Sequence, residues 1–299
     1  MSLRAPRSAD LDAVLEVVQA RDVADLGAPD YTRADLEQDW RQEGDGLGAN
    51  ARVAVHDGRI RGYAILRRSD ALIVVHPRAT GHGLGSALLA WSEERERELG
   101  RGVHRRDGAA SDVLGHALLA AAGYTRTRSF WRMAVRLSAV APPPRLPAGV
   151  AVRTLDPDAD AAAVHELDER AFAANADFVA HSFDEFRREH LRAPSLDPAL
   201  SLVAWARAAP VGFVLTRRWP EEDTGYVDLF AVAPERRRAG LGRALLGHAF
   251  TRIAAAGLGT AQLSVASDNP RALTLYESLG MQVRFQIDSF ERAPRRGAP

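Results

Sequence analysis

The sequence predicts two consecutive α/β (α+β) domains of the same design. The chain has 299 residues, and at roughly 150 residues per domain this is enough for two hydrophobic cores. A proline-rich stretch at 138–149 falls near the midpoint and favours an extended connection over a helix. The segments VVHPRATGHGLGSALL and FAVAPERRRAGLGRALL, one on each side of it, align without a gap. A duplicated domain explains this pattern.

The duplication keeps one register over a longer stretch. Gly83 and Gly85 correspond to Gly240 and Gly242, and the downstream segments DVLGHALLAAAGY and NPRALTLYESLGM follow at the same offset. Two separate matches at one offset argue for a repeat rather than for chance. The predicted organisation is an N-terminal domain at 1–137, a linker at 138–149, a C-terminal domain at 150–292 and a tail at 293–299.

Each half alternates between stretches typical of strands and stretches with helical periodicity. In the second half, β-branched or alternating apolar residues predict strands, and apolar residues spaced three and four apart predict helices. In the helix that begins near Gly240, the residues Leu241, Leu245, Ala249 and Ile253 form such a face. The predicted strands are 150–154, 201–206, 211–217, 226–232 and 262–265, and the predicted helices are 158–170, 183–191, 240 onward and 270–279.

The composition excludes several kinds of chemistry. Acidic and basic residues balance at 39 each, so we expect no nucleic-acid or membrane partner. Cysteine is absent, which excludes thiolate nucleophiles, disulfides and cysteine-based metal sites. Lysine is also absent, which excludes a Walker-type phosphate loop. The histidines lack metal-ligand spacing, so we expect no metal, and the N-terminus lacks the apolar run of a secretory signal, so we expect a cytoplasmic protein.

A glycine-rich loop between a predicted strand and a predicted helix carries the first functional signal. Free amides and the helix dipole favour an anion at such a position, so we predict a phosphate-binding loop. A plain glycine-rich turn before an amphipathic helix is the competing interpretation. A dinucleotide-binding fingerprint would need a third glycine where Leu245 stands. The loop consists of Arg237, Arg238, Ala239, Gly240, Leu241, Gly242 and Arg243.

A second motif follows one helix and one strand later. The segment DNPRALTLYESLGM contains Asn269, an expected helix N-cap before Pro270, and Tyr276. Together with the Arg-x-x-Gly-x-Gly pattern of the loop, it resembles the GNAT acetyltransferase superfamily. The resemblance covers most of 150–291 and, more weakly, 3–137. A core aromatic residue is the alternative interpretation of Tyr276.

The resemblance implies a fold, a co-substrate and roles for individual residues. Each domain would have a mixed, mainly antiparallel central sheet flanked by helices. Acetyl-CoA would place its pyrophosphate on the amides of 238–243 and its pantetheine along Ala231, Val232 and Ala233. Asn269 would contact the cofactor arm, and Tyr276 would act as general acid for the departing thiolate. The Val232 amide could polarise the thioester carbonyl.

An amine must lose a proton before it attacks the thioester, which calls for a base. Asp228 is our candidate because it interrupts the apolar strand segment YVDLFAV. A solvated edge, or a partner for an arginine, explains it equally well. We therefore expect an acetyl-CoA-dependent N-acetyltransferase that transfers the acetyl group by direct attack to an amine of a small molecule or peptide, as a monomer or a homodimer.

The first half looks like a degraded copy of this site. Thr80 stands where Arg237 would be, Asp112 stands for Asn269, and Leu119 replaces the acid Tyr276. The glycines of the loop remain, so the first domain could still hold a phosphate. We expect a structural or substrate-shaping lobe rather than a second catalytic centre.

Two alternatives stay open. The tandem layout with a degraded first domain also resembles the mycothiol synthase family, which acetylates an amino-sugar thiol conjugate. Tyr226 departs from that family, which has a glutamate at the matching place. A non-catalytic acyl-CoA-binding regulatory protein would keep the loop but would have no need of the phenol of Tyr276.

Overall fold

The computed structural model describes residues 1–68, 70–139, 141–174, 178 and 180–293. The chain divides into two compact units, one of Met1–Phe130 with the described residues from Phe285 onward, and one of Trp131–Arg284. Most of the predicted tail, 294–299, lies outside the described residues. No helix in the described ranges combines the length and apolar character needed to cross a membrane.

The N-terminal unit is built on an antiparallel sheet of four strands in the order β1-β2-β3-β4. Helices α1 and α4 pack on this sheet through buried valines and leucines. Its strands are β1 Ser2–Arg4, β2 Ala51–His56, β3 Arg59–Leu66, β4 Ala71–Val75, β5 His104–Ala109 and the beginning of β6 Thr125–Arg136. Its helices are α1 Leu11–Leu26, α2 Arg33–Glu43, α3 Leu47–Asn50, α4 Leu84–Glu98 and α5 Val113–Ala121.

The C-terminal unit has its strands in the order β6-β11-β10-β9-β8-β7, where β6 contributes residues 131–136. Strands β7 to β10 pair antiparallel, and β10 pairs parallel with β11. Its further strands are β7 Val150–Thr154, β8 Leu202–Ala206, β9 Ala209–Trp219, β10 Thr224–Val232, β11 Thr260–Ala266 and the beginning of β12 Gln282–Arg292. Its helices are α6 Ala161–Phe172, α7 Phe183–Phe186 with a π-helical turn Arg187–Leu191, α8 Leu241–Ala255 and α9 Pro270–Glu277.

Helix α8 shows why the sequence pattern gives this unit its core. The predicted apolar face is buried, with Leu241 at 2% exposure and Leu245, Ala249 and Ile253 at 0%. Burying a side chain of this size contributes about 1.5–3 kcal/mol. The helix begins at a glycine and ends before another, Gly257, whose positive φ of 82° terminates it. The predicted mixed and mainly antiparallel architecture is confirmed.

The observed units differ from the predicted boundaries at two strands. Residues 285–292 of β12 belong to the N-terminal unit, where they pair antiparallel with β5 from Ile287 to Arg292. Residues 131–136 of β6 belong to the C-terminal unit. The predicted linker spans 138–149. Residues 138 and 139 belong to a 3-10 turn, Leu137–Ala139, whereas 141–149 form no helix or strand and lie in the C-terminal unit. A β-carbon on Gly247 of α8 would lie 3.0 Å from Pro143 Cβ, so this stretch packs on α8.

Candidate active site

The loop between β10 and α8 ends in an uncapped helix N-terminus. A 3-10 turn at Pro234–Arg236 follows β10, and the chain then takes positive φ angles at Arg238, 65°, and at Gly240, 80°. Gly240 occupies the N-cap position of α8, and no side chain caps the helix there. The amides of the first helical turn have no intrahelical acceptor. Arg238, Ala239 and Gly240 are exposed, so the loop presents these donors to solvent, as an anion site requires.

Gly242 lies where the start of α8 touches the sheet. A β-carbon at this position would be 3.2 Å from Phe230 Cζ and 3.4 Å from Leu275 Cδ2. Any other residue here would require these two side chains to shift by a few tenths of an ångström, so a glycine favours the close approach of the helix to β10 and α9. Its role is therefore packing, which fixes the height of the loop above the strand.

Two arginines of the predicted phosphate loop bind protein carbonyls. Arg237 donates from Nε to the Val232 carbonyl oxygen at 3.1 Å and from Nη2 to the Ala171 carbonyl oxygen at 2.7 Å. Arg243 donates from Nη2 to the Ser278 carbonyl oxygen at 3.3 Å. These contacts tie the loop to β10 and α6, and the start of α8 to the end of α9. Arg237 thus braces the loop, a role that the sequence did not indicate.

The strands beneath the loop separate. Strand β10 pairs with β11 from Thr224 to Val227 and no further, although both strands continue, whereas its pairing with β9 runs on to Val232. The Ala233 amide donates to the Val211 carbonyl oxygen on the β9 side. Because strand amides alternate in direction, the Val232 N–H points to the opposite, open side. The gap thus offers backbone groups to an extended ligand.

Tyr276 lies at this gap on α9. Its side chain is 8% exposed, and its ring meets the Phe230 ring edge to face at 6.5 Å between centroids. Burial raises the pKa of the phenol above its ordinary value, and the nearby Tyr226 adds to the shift. The hydroxyl therefore keeps its proton at neutral pH, as a hydrogen-bond donor or general acid must.

Asn269 caps α9. Its side-chain Oδ1 accepts the Ala272 amide at 3.1 Å, and Pro270 follows at the first helical position. The residue is exposed.

Asp228 is held between a histidine and an arginine. It sits at a β-bulge of β10, where the register with β9 shifts between Val227 and Leu229. Its carboxylate oxygens contact Arg217 Nε at 2.9 Å and His190 Nδ1 at 2.9 Å. Burial raises the pKa of Asp228, but the His190 and Arg217 contacts outweigh this effect, and the pKa lies below its usual range. Asp228 is therefore a weak proton acceptor, and the arginine-partner interpretation of this residue is the one that the contacts favour.

His190 belongs to a group of titratable side chains that the sequence analysis did not single out. The rings of His165 and His190 both lie 5.1 Å from the Phe186 ring. The His181 amide donates to Glu169 Oε1 at 3.1 Å. Asp168 is 4% exposed, and burial raises its pKa to about 6. The spacing of these residues within α6 and within the π-helical turn is visible in the sequence. The fold alone decides that the two segments lie side by side.

Aromatic residues lie next to Arg217 and Asp228 on the sheet. Tyr226 stands across from Arg217 in the β9–β10 register, so the two side chains share one face. The Tyr226 ring stacks on Trp219 at 4.5 Å. The guanidinium of Arg132 lies 4.8 Å from the Tyr226 ring centroid. This face gives a flat, cation-bearing wall beside Asp228.

The N-terminal unit repeats the loop but not the chemistry. Gly81 and Gly83 take positive φ angles of 85° and 77°, which match Arg238 and Gly240 of the other loop, and α4 starts directly after Gly83. Leu119 occupies the position that corresponds to Tyr276, so this unit has no phenol there. Asp112 caps α5 by accepting the Gly115 amide at 3.0 Å. The backbone of an anion site is thus kept, without a general acid.

The described residues contain no group of three or more side chains placed to hold a metal ion. The C-terminal loop, by contrast, suits a phosphate-bearing thioester. Its amides are exposed, its helix is uncapped, and the adjoining strands open beneath it. The residues present therefore fit acetyl-CoA.

Comparison with known proteins agrees with this geometry. The acetyltransferase (GNAT) family model matches residues 15–124 and 161–281. The chain is 34% identical to a mycothiol acetyltransferase of Thermobispora bispora over 292 residues, 95% of this chain and 96% of that one. It is 36% identical to a mycothiol acetyltransferase of Streptomyces coelicolor over 241 residues, 76% of this chain and 74% of that one.

Solved structures show the same tandem layout. A GCN5-related N-acetyltransferase from Sphaerobacter thermophilus has a TM-score of 0.83 at 28% identity and covers 99% of this chain and 96% of its own. A tandem GNAT protein from the clavulanic acid biosynthesis pathway has a TM-score of 0.76 at 18% identity, over 99% of this chain and 100% of its own, and shows the fold alone. The fold and the site define an acyltransferase. This chain belongs to the acetyltransferase (GNAT) family, with two domains in tandem, and is an acetyl-CoA-dependent N-acetyltransferase.

Proposed function

We propose that the C-terminal unit carries the catalytic centre and that the acceptor is the amine of a mycothiol precursor, an amino-sugar thiol conjugate. The location of the catalytic centre is supported by three features that occur in the same unit. An exposed amide loop, a gap between β10 and β11, and the buried phenol of Tyr276 occur together there. The N-terminal unit has the loop but Leu119 in place of the phenol.

The loop residues would bind acetyl-CoA, which supplies an acetyl group activated as a thioester. The amides of 238–243 suit its pyrophosphate, because they combine free N–H groups with the positive end of α8. The open side of β10 at Ala231, Val232 and Ala233 suits the pantetheine, and the exposed Asn269 would contact the cofactor arm. Arg237 holds this arrangement through the Val232 and Ala171 carbonyl oxygens.

Two proton transfers accompany the reaction. We assign acceptance of the amine proton to His190, which Asp228 orients through the 2.9 Å contact to Nδ1. The pKa of Asp228 is lowered and both its oxygens are engaged, so the carboxylate positions the imidazole rather than taking the proton itself. Tyr276 keeps its proton and donates it to the departing thiolate. The outward Val232 N–H is placed to stabilise the carbonyl oxygen as negative charge develops.

The choice of acceptor rests on the relatives. The mycothiol acetyltransferase of Thermobispora bispora aligns over 95% of this chain at 34% identity. Tyr226 departs from the glutamate that the resemblance to that family implies at this place, and it stacks on Trp219 instead. In this chain the His190–Asp228 pair would supply the base from the neighbouring π-helical turn.

The test is product formation from acetyl-CoA with a panel of amines. The panel holds the mycothiol precursor that lacks the acetyl group, glucosamine, spermidine, an aminoglycoside and a peptide with a free N-terminus. The preferred acceptor has its own thiol, so mass spectrometry of the acetylated product is a cleaner readout than a thiol reagent. We expect the precursor to have the highest kcat/KM, by at least about tenfold.

A matched pair of variants locates the catalytic centre. Tyr276→Phe removes the buried phenol of the C-terminal unit, and Tyr124→Phe removes a buried phenol of the N-terminal unit, where Tyr124 is 4% exposed. We expect only the first to lower turnover. Loss of turnover with Tyr124→Phe alone would place catalysis in the N-terminal unit. Higher kcat/KM for another amine would overturn the acceptor and leave the catalytic assignment standing.

A further inference from the structure

A cavity of about 290 Å³ lies in the N-terminal unit, and none of the residues assigned to catalysis above lines it. Helix α1, strands β4 and β5 and helix α5 enclose it. Strands β4 and β5 belong to different hydrogen-bonded sheets, whereas their counterparts β10 and β11 pair over four residues. The two strands of this unit therefore share no hydrogen-bonded ladder, and residues of both line the cavity.

The floor of the cavity is apolar. It is formed by side chains from β4, α4 and α5, among them Leu72, Val74, Leu89, Leu118 and Leu119. Such a floor favours a ligand with an apolar part, because covering apolar surface is the main source of affinity in small cavities.

Three carboxylates in the wall, those of Asp22, Asp107 and Asp112, form no ion pair within the described part of the chain. Asp22 accepts the Asp30 and Tyr31 amides at 3.0 and 2.9 Å. Asp107 accepts the Ser289 hydroxyl at 2.5 Å, and Asp112 accepts the Gly115 amide at 3.0 Å. All of these donors are neutral. Burial raises the pKa of Asp22, as expected for an acid without a counter-charge.

The arginines in the wall pair with other acids. Arg67 contacts Asp39 Oδ2 at 2.8 Å, and Arg106 contacts Glu96 Oε2 at 2.5 Å. Neither Asp39 nor Glu96 lines the cavity. Arg21 pairs with Asp25 in the next turn of α1. The wall therefore keeps an excess of negative charge that a bound cation would neutralise.

Buried polar nitrogens lining the same cavity have no partner. Arg21 Nε, Arg106 Nε and His116 Nε2 are buried and lack a hydrogen bond within the described part of the chain. Arg106 is 2% exposed. Unsatisfied buried donors are costly, and a ligand oxygen would satisfy them.

From these observations we infer that the N-terminal unit binds a small ammonium compound that carries an apolar group and a hydroxyl oxygen. The carboxylates of Asp22, Asp107 and Asp112 take the ammonium group. The apolar floor takes the hydrocarbon part, and the buried arginine nitrogens take the oxygen. The degenerate domain would thus be an amine-binding module, independent of the identity of the acetyl acceptor.

The test is calorimetric titration of the full chain with phenylalaninol, which combines an ammonium group, a ring and a hydroxyl. The controls are 3-phenyl-1-propanol, which lacks the ammonium group, and 2-phenylethylamine, which lacks the hydroxyl. We expect phenylalaninol to bind at one site and at least about tenfold more tightly than the alcohol. Equal affinities for phenylalaninol and the alcohol would overturn the proposal.

Variants identify the site. Leu119→Trp fills the cavity without changing charge, and Asp107→Asn removes one carboxylate from an exposed position of β5 that the core does not need. Each variant should weaken the binding of phenylalaninol at least about fivefold, while the circular dichroism spectrum and Tm stay those of the wild type. Asp228→Asn, in the other unit, should leave this affinity unchanged. Loss of binding in Asp228→Asn alone, or displacement by acetyl-CoA, would contradict the inference.

Discussion

His190 Nδ1 lies 2.9 Å from Asp228 Oδ2, and Arg217 Nε lies 2.9 Å from the other oxygen of the same carboxylate. The two partners fix the carboxylate at the bulge of β10, and the carboxylate in turn fixes the imidazole. A carboxylate bound on both oxygens and with a lowered pKa accepts protons poorly. An imidazole oriented by such a carboxylate is a suitable base.

Replacement of His190 tests this assignment. His190→Gln keeps a polar side chain near Asp228 but removes the ring nitrogen that takes the proton. We expect kcat to fall about 100-fold with little change in the KM for acetyl-CoA. Steady-state rates at one fixed pH provide the measurement.

His181→Gln is the matched control, since His181 lies 6.5 Å from His190 between ring centroids. It should leave kcat unchanged. If both variants lose the same activity, the histidines shape the pocket and do not exchange protons.

Tyr276→Phe is expected to separate binding from turnover. The ring would still meet Phe230, so packing is kept. The thiolate would leave without its proton donor, and kcat should fall about 100-fold. The dissociation constant for acetyl-CoA, measured by calorimetry, should change less than about twofold. Full turnover in this variant would contradict the assignment and favour the alternative interpretation of Tyr276 as a core aromatic residue.

The two ends of α8 provide a controlled test of the loop. Gly240 and Gly257 have φ angles of 80° and 82°, and a β-carbon at either would meet nothing within 4 Å. Alanine at either position should therefore cost a similar free energy of unfolding, about 1 kcal/mol. Only Gly240→Ala should also weaken the binding of acetyl-CoA, because only the N-terminal end of α8 binds phosphate in our proposal. Equal affinity in both variants would contradict the loop assignment.

The sequence predicted the features that depend on local pattern. The apolar spacing in α8, the glycine loop and the cap at Asn269 before Pro270 each follow from residues within one or two turns of each other. The duplication was visible because Gly83 and Gly240 keep the same conformation and the same sequence surroundings. The prediction of a tandem GNAT fold is confirmed for these reasons.

Features that depend on contacts between distant segments were not predictable. His190 and Asp228 lie 38 positions apart in the chain, and only the packing of the π-helical turn against β10 joins them. The loop motif places Arg237 among the predicted phosphate-binding residues, but its guanidinium donates to the carbonyl oxygens of Val232 and Ala171. Residues 285–292 belong to the N-terminal unit. The sequence could not predict this, because the residue pattern of a strand does not show which sheet the strand joins.

Asp168 predicts how stability depends on pH. Burial raises its pKa to about 6, above the unfolded value near 3.8. The folded state therefore holds this proton more tightly than the unfolded state does. The stability that comes from this proton is fully present below the unfolded pKa and is lost as pH rises through about 6.

The variant Asp168→Asn carries no such proton. The free energy of unfolding of the wild type should fall relative to that of the variant by about 2 kcal/mol between about pH 4 and about pH 7. Chemical denaturation of both proteins across this range measures the difference, and any constant cost of the buried amide cancels. His165, His181, His190 and Glu169 surround the carboxyl and remain in both proteins, so their own titration largely cancels as well. Parallel stability curves for the two proteins would show that Asp168 is ionised in the folded state, with its charge compensated by those neighbours.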